Sequence, residues 1–256
     1  MSGHSKWNTI KHKKAATDAR RGKLFTKLLR EITVAARLGG GDPKSNPRLR
    51  GAILDARSNS MPNDNIERAV KKGTGELEGE AYEEVTYEGY GPGGVAVLVE
   101  GQTDNRNRTA QDIRHLFARH GGNLGESGCV SWMFNRRGYF ALDRTALSAD
   151  MDEDKLTDLA LELGADDVSI ADDVCEIYTA MEDFNAVQEE LERRGIPIAA
   201  KELAMVPQTQ VDVPADRINQ ALRLVEALED HDDVQHVWAN LSIDNVDDKV
   251  LAAQPR

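Results

Sequence analysis

A dense set of basic residues near the N-terminus has the composition of a nucleic-acid-binding segment. Nine Lys and Arg residues occur between positions 6 and 30, whereas Asp18 is the only acidic residue before Glu31. Such cations neutralise phosphates, and Trp or His among them can stack on unpaired bases. The alternative is a solvated helix face, but such a face normally mixes both signs of charge. The candidate nucleic-acid-binding residues are Lys6, Trp7, Lys11, His12, Lys13, Lys14, Arg20, Arg21, Lys23, Lys27 and Arg30.

The charge of the chain is divided sharply along its length. Residues 1–75 contain 17 Lys and Arg against 6 Asp and Glu, a net charge of +11, whereas the remainder has a net charge of −23. A basic face attached to an acidic body docks on a polyanion in one orientation, because phosphates repel the body. The pattern predicts a polyanionic partner and leaves open whether it is DNA or RNA.

A second candidate anion site lies at residues 103–109, where the sequence Thr-Asp-Asn-Arg-Asn-Arg-Thr opens a predicted helix. Free backbone N–H groups at a helix N-terminus, together with Arg106 and Arg108, are suited to holding a phosphate. The alternative is an ordinary helix cap formed by Thr103 or Asp104, with both arginines in water. The sequence leaves both readings open.

Signatures of catalysis, cofactor binding and metal binding are weak. Gly89, Gly91 and Gly94 have the spacing of a dinucleotide-binding loop, but a strand follows where that motif requires a helix, so a hairpin turn is favoured. The six histidines and two cysteines lack metal-ligand spacing, and no Walker or nucleophile-elbow motif occurs. We therefore expect no catalytic residues, no metal and no cofactor. An enzyme acting on nucleic acid or nucleotides is the alternative from another class.

Residues 143–195 hold 17 acidic residues against 4 basic ones. A solvated or partner-facing surface explains this composition better than a catalytic carboxylate pair, and a basic protein partner is a further possibility for it. The chain is 40% apolar and 30% charged, and no apolar run approaches a membrane span. The N-terminus lacks a secretory signal, and Cys129 and Cys175 are expected to be reduced. We expect a cytoplasmic protein without membrane contact, and a monomer.

Hydrophobic periodicity predicts an α+β protein with antiparallel sheets. Residues 1–78 form a basic unit of three helices, in which Asn46 and Pro47 begin the second, and Asp64 and Glu67 form a capping box on the third. Strands are expected at 84–90, 95–100, 130–134, 138–142, 168–170, 174–179, 199–206, 210–213 and 234–243, and further helices at 105–120, 152–163, 183–194 and 214–228. The order predicts one α+β domain from 79–128 and 207–245, with an acidic α+β domain of 129–206 inserted in it.

Several strings of residues resemble the YebC family. They include residues 3–7 (Gly-His-Ser-Lys-Trp), 46–50 (Asn-Pro-Arg-Leu-Arg), 59–72, 87–94 (Tyr-Glu-Gly-Tyr-Gly-Pro-Gly-Gly), 103–109 and 121–125 (Gly-Gly-Asn-Leu-Gly). The resemblance implies an N-terminal helical domain and two α+β domains, the third inserted in the second. It also implies a cytoplasmic, probable DNA-binding transcriptional regulator. Related bacterial and mitochondrial members are implicated in translation at proline-rich stalls.

The residue types in the basic N-terminal segment help to distinguish DNA from RNA as the partner. Lysines favour phosphate backbones over bidentate base contacts, and Trp7 and His12 are suited to stacking on unpaired bases. No helix-turn-helix with a basic recognition helix is evident in the sequence. These residue types favour RNA, and the family resemblance implies action at ribosomes. We therefore expect a non-enzymatic factor that acts on RNA and ribosomes as a translation factor at proline-rich stalls. A sequence-specific DNA-binding transcriptional regulator is the alternative.

Overall fold

Three helices form a small apolar core of their own at the N-terminal end of the computed structural model, which describes residues 18–148 and 151–242. They are α1 (Asp18–Gly39), α2 (Pro47–Ser58) and α3 (Asn63–Gly73), called the helical unit below. Their buried side chains include Ile32, Leu49, Ile53 and Ile66. Gly73 packs so closely on α1 that a Cβ there would clash with the carbonyl oxygen of Thr33.

The caps of these helices agree in part with the sequence predictions. Asn46 caps α2 as expected, since its Oδ1 accepts a hydrogen bond from the backbone N–H of Leu49 at 3.1 Å. The predicted capping box of α3 is wrong. The helix begins at Asn63 with Pro62 as its N-cap and without a capping side chain, so Asp64 already lies within its first turn. A carboxylate in that turn still favours the helix through the helix dipole.

The described residues 83–148 and 151–242 form the body. The strands of its first sheet are β1 (Glu83–Tyr90), β2 (Ala96–Thr103), β3 (Asn123–Leu124) and β9 (Val234–Ala239), all antiparallel and arranged in the order β3-β1-β2-β9. Helices α4 (Arg106–Arg119) and α7 (Ala215–Glu229) cover one face of this sheet. The glycine-rich segment before β2 is a turn, as predicted, with Gly93 and Gly94 at φ of 79° and 81°. L-residues other than glycine rarely adopt such angles.

The second sheet has the strand order β5-β6-β4-β7 and is also antiparallel. Its strands are β4 (Phe134–Asp143), β5 (Asp167–Ile170), β6 (Val174–Thr179) and β7 (Ile198–Pro207). Helices α5 (Glu153–Glu162) and α6 (Phe184–Arg193) pack on one face. The α+β class is therefore confirmed. The first sheet takes strands from both sides of the segment that forms the second, as an insertion would produce. The exact domain ranges stay a proposal.

The two sheets pack face to face through a shared apolar cluster. Along β2, Val97 and Val99 face the helices, while Ala96 and Leu98 contact the second sheet, as the two-residue period of a strand requires. Trp238 and Tyr139 are buried in the same cluster between the sheets. The body thus consists of four layers, helices on either side of two apposed sheets.

Two strands predicted from the sequence are wrong in part, because buried polar side chains redirect the backbone. Residues 131–133 form a 3₁₀ turn before β4, since Glu88 accepts the N–H groups of Val130 and Ser131. The predicted strand at 234–243 is interrupted at Asn240. The buried Asn240 side chain accepts the N–H of Ala96 at 2.7 Å. A short parallel pair, β8 (Val211–Asp212) with β10 (Leu241–Ser242), follows this interruption.

Candidate nucleic-acid interface

The predicted phosphate-binding residues fall into two groups. Five of them lie on α1, namely Arg20, Arg21, Lys23, Lys27 and Arg30. Lys6, Trp7, Lys11, His12, Lys13 and Lys14 lie outside the described residues. The described part of the candidate interface therefore comprises α1 and its surroundings.

Two lysines of α1 contact the C-terminal end of α7 in the body. Lys23 Nζ donates to the carbonyl oxygen of Asp230 at 3.0 Å, and Lys27 Nζ donates to that of Glu229 at 2.7 Å. Carbonyl groups at a helix C-terminus carry partial negative charge and favour nearby cations. Both lysines therefore help to join the helical unit to the body.

Arg30 reaches the most buried carboxylate of this joint, that of Asp233. Its Nη1 lies 2.7 Å from Asp233 Oδ1, while Asp233 Oδ2 accepts hydrogen bonds from Thr109 at 2.6 Å and Arg108 at 2.9 Å. The Asp233 side chain is only 4% exposed. We call these four residues the Asp233 network.

The Asp233 network holds its carboxylate in the charged form. Burial would raise the pKa of Asp233, but hydrogen bonds from Thr109 and Arg108 and the positive charges of Arg30 and Arg108 outweigh it and lower the pKa to about 2. Asp233 is therefore an anion throughout the physiological pH range, placed between α1 and the N-terminal turn of α4.

The predicted second anion site lies at this same turn. Asn105, rather than Thr103 or Asp104, caps α4, since its Oδ1 accepts the N–H of Arg108 at 3.1 Å. Arg108 is paired with Asp104 and Asp233. Arg106 is 68% exposed and lies 3.7 Å from Glu83. The structure thus gives each arginine a carboxylate neighbour and leaves Arg106 the more accessible of the two.

The structure contains a groove between α1 and α3 that was not predicted from the sequence. It encloses about 320 Å³ and is bordered by the linker that leads to β1. Its lining residues are Thr26, Leu29, Arg30, Thr33, Asn65, Arg68, Ala69, Lys72 and Tyr82. Among these described residues three are cationic and none is acidic. Arg68 and Lys72 are four positions apart on α3, a spacing that places both on one helix face and that the sequence could have revealed.

Tyr82 forms the far side of the groove. The guanidinium of Arg30 lies over its ring, 5.1 Å from the ring centroid. Its hydroxyl donates to Glu80 at 2.8 Å, and Arg37 donates to its carbonyl oxygen at 3.4 Å. Arg30 thus contacts both the groove and the Asp233 network, which ties the shape of the groove to the joint with the body.

Metal binding, a reactive thiol and membrane insertion have little support in the described part of the chain. Within residues 18–148 and 151–242, the side chains of His, Cys, Asp and Glu form no cluster suited to a metal ion. Cys129 and Cys175 are both free thiols, and burial raises the pKa of Cys175 to about 11. No described helix combines the length and apolar character needed to cross a membrane.

The chain combines a basic helical unit with an α+β body of two sheets. Comparison with known sequences identifies the class of protein to which this architecture belongs. The profile of the "TACO1/YebC protein N-terminal domain" matches residues 5–76, and that of the "TACO1/YebC second and third domain" matches residues 82–241. The chain therefore belongs to the TACO1/YebC family.

Full-length relatives and a solved structure support this assignment. A protein of Syntrophobacter fumaroxidans is 56% identical, with 98% of this chain and all of the relative covered, and one of Geobacter sulfurreducens is 56% identical over 95% and 96%. Both are named probable transcriptional regulatory proteins. The crystal structure of a conserved hypothetical protein from Aquifex aeolicus is similar with a TM-score of 0.82 and 52% identity, covering 91% of this chain and 95% of that one.

Proposed function

We propose that this protein is a non-enzymatic, nucleic-acid-binding regulator of gene expression that acts in the cytoplasm as a monomer. Its specific role in this proposal is that of a translation factor, which binds RNA at ribosomes stalled on proline-rich stretches. The observation that carries the proposal is the charge division, +11 in residues 1–75 against −23 in the rest. A polyanion is attracted to one end of such a molecule and repelled by the other.

Structured RNA suits this surface better than a specific DNA sequence. The exposed residues near the start of α3 include Asp64 and Glu67, whose carboxylates would be repelled by phosphates in a major groove. Recognition helices present Arg, Asn or Gln to base edges there, whereas α3 combines the exposed amide of Asn63 with these two carboxylates. The lysines of the N-terminal segment favour backbone phosphates over base edges.

One observation favours the alternative, a sequence-specific DNA-binding transcriptional regulator. Helices α2 and α3 are joined by the four residues 59–62, a turn length typical of a helix-turn-helix. The relatives named above are described as transcriptional regulators. The experiment below separates the two functions.

The test uses the full-length chain and a charge-reversed variant with Lys11, Lys13 and Lys14 changed to Glu. We expect the wild-type affinity to fall with salt, with a log–log slope of about −0.9 per neutralised phosphate on duplex DNA and about −0.7 on single strands. The variant is expected to lose binding while retaining its helical circular dichroism. A matched control changes Lys155, Arg217 and Arg223, all exposed on the body, to Glu and is expected to bind normally.

The same proteins decide between RNA and DNA as the partner. We expect wild type to co-sediment with ribosomes at low salt and to dissociate at high salt, and a deletion strain to show increased ribosome pausing at proline-rich stretches. Strong preference for promoter DNA over random DNA, without ribosome association or altered pausing, would instead establish the transcriptional function. Undiminished binding by the Lys11, Lys13 and Lys14 variant would refute the N-terminal interface.

A further inference from the structure

We propose that the groove between α1 and α3 binds a single unpaired nucleotide, with its phosphate at Arg68 and Lys72 and its base beside Tyr82. This inference rests on the proposed function and specifies which nucleic-acid unit the helical unit recognises. It assigns binding roles to Arg68, Lys72 and Tyr82, which are not among the basic and aromatic residues predicted at positions 6–30.

The charges of the groove favour an anion. Arg68 and Lys72 lie one helical turn apart on α3, and Arg30 lies across from them on α1. Within the described part of the chain, the side chains of Arg68 and Lys72 form no hydrogen bond and no ion pair, and both residues are exposed. Arg30, by contrast, is already bound to Asp233. Two unneutralised cations at one end of the groove therefore remain to bind a phosphate.

The rest of the lining suits a nucleobase. Leu29 and Ala69 supply apolar surface, Asn65 supplies an amide that both donates and accepts hydrogen bonds, and Tyr82 supplies an aromatic ring. Tyrosine rings and arginine guanidinium planes are among the groups on which proteins stack unpaired bases. A mixed lining of this kind recognises a base and a phosphate together.

The size of the groove suits a single nucleotide. Its volume of about 320 Å³ lies at the lower end of the range for pockets that hold one small ligand. A base in a duplex stays stacked and paired, and extruding it costs the free energy of unstacking and unpairing. Single strands, loops and unpaired ends present such a base without that cost. The groove is therefore expected to discriminate single strands from duplexes.

The test compares two fluorescent probes, an oligouridylate of about 12 nucleotides and an RNA duplex of the same length, in anisotropy titrations of the full-length chain. In the test variant Arg68 and Lys72 are changed to Gln. In the matched control Arg57 and Lys71 are changed to Gln, since both are exposed on the same helical unit but do not line the groove. The two variants have the same net charge, so the general electrostatic attraction is equal.

We expect the test variant to bind the single strand about 10-fold more weakly than the control, with both variants equal on the duplex. Tyr82→Leu is expected to reduce single-strand affinity by about 10-fold, whereas Tyr82→Phe, which retains the ring, is expected to bind the single strand as wild type does. Thermal melting of each variant checks that the fold is retained.

Equal single-strand affinities of the test and control variants would overturn the groove proposal. Equal losses on both probes in Tyr82→Leu would overturn the assignment of an unpaired base. If wild type binds neither probe even at low salt, the proposed function itself fails. Binding that is abolished by the Lys11, Lys13 and Lys14 variant but unaffected by the groove variants would preserve the proposed function and refute the groove.

Discussion

Replacing Asp233 by Asn should loosen the joint between the helical unit and the body. The substitution keeps the size of the side chain but removes the charge that Arg30 and Arg108 share, at 2.7 Å and 2.9 Å. Arg30 is only 14% exposed and would keep its positive charge without a carboxylate beside it. An uncompensated buried charge is strongly destabilising, which is why this single change is expected to matter.

The size of the effect follows from what each arginine retains. Breaking a buried ion pair costs about 3–5 kcal/mol when the remaining charge has no other partner. Arg108 is 47% exposed and keeps Asp104 at 2.7 Å, and Arg30 keeps the carbonyl oxygen of Asp232. We therefore expect a loss of about 2–3 kcal/mol. At about 2–4 °C per kcal/mol, this lowers the melting temperature by about 4–12 °C.

The pH dependence of the effect gives an independent check. The pKa of Asp233 is lowered to about 2, so the stabilisation is present above the ordinary carboxyl pKa near 4 and is lost as the pH falls from about 4 to about 2. The melting-temperature difference between wild type and Asp233→Asn should therefore be full at pH 7 and shrink towards pH 2.

Differential scanning calorimetry at several pH values measures both quantities. The control is Asp232→Asn, which removes the same charge from the neighbouring exposed position. Because the helical unit has its own apolar core, Asp233→Asn is expected to separate its melting from that of the body. Identical melting of the Asp232 and Asp233 variants at pH 7 would refute the reasoning, since the network would then contribute nothing to the joint.

Two further changes test buried and exposed charge elsewhere. Glu88→Gln should cost about 2–4 kcal/mol and lower the melting temperature, because the carboxylate accepts three backbone hydrogen bonds, from Gly128, Val130 and Ser131, at 2.7–2.8 Å; an unchanged melting curve would contradict this. Arg106→Ala should leave stability nearly unchanged, because Arg106 is 68% exposed, but weaken nucleic-acid binding in a salt-dependent way by about 1–3 kcal/mol if the α4 turn is a second anion site. Unaltered affinity would assign that turn to helix capping alone.

The helices of the helical unit were predictable because their signals are local. The cap at Asn46, Pro47 in the first turn and the apolar positions of α2 lie within about ten residues of one another, and the structure follows them closely. The two strand errors have the opposite cause. Residue 240 is drawn out of a continuous strand by a bond to Ala96, 144 positions away, which no local pattern encodes. At residue 240, a tertiary hydrogen bond outweighs the local preference for a β-strand.

The candidate interface likewise has features that could be predicted from the sequence and features that could not. Arg68 and Lys72 share a helix face, so their pairing follows from spacing along α3. The roles of Lys23, Lys27 and Arg30 could not be predicted from the sequence. A Lys or Arg that binds phosphate and one that donates to a carbonyl group of the same chain look alike in the sequence. Only the position of α7 and of Asp233 shows that these three contact the body.

The two joints of the molecule differ in physical kind, and this limits which cations are free to bind phosphate. The sheets meet through buried apolar side chains such as Leu98 and Trp238, which salt does not screen. None of the apolar clusters among the described residues spans the joint between α1 and the body, which is made by hydrogen bonds and ion pairs. If phosphate binds the helical unit as proposed, it competes with the body for the cations of that polar joint, Lys23, Lys27 and Arg30. While the helical unit is docked, the proposal therefore places phosphate at cations without a hydrogen bond or ion pair to the body, and Arg68 and Lys72 of α3 meet this requirement.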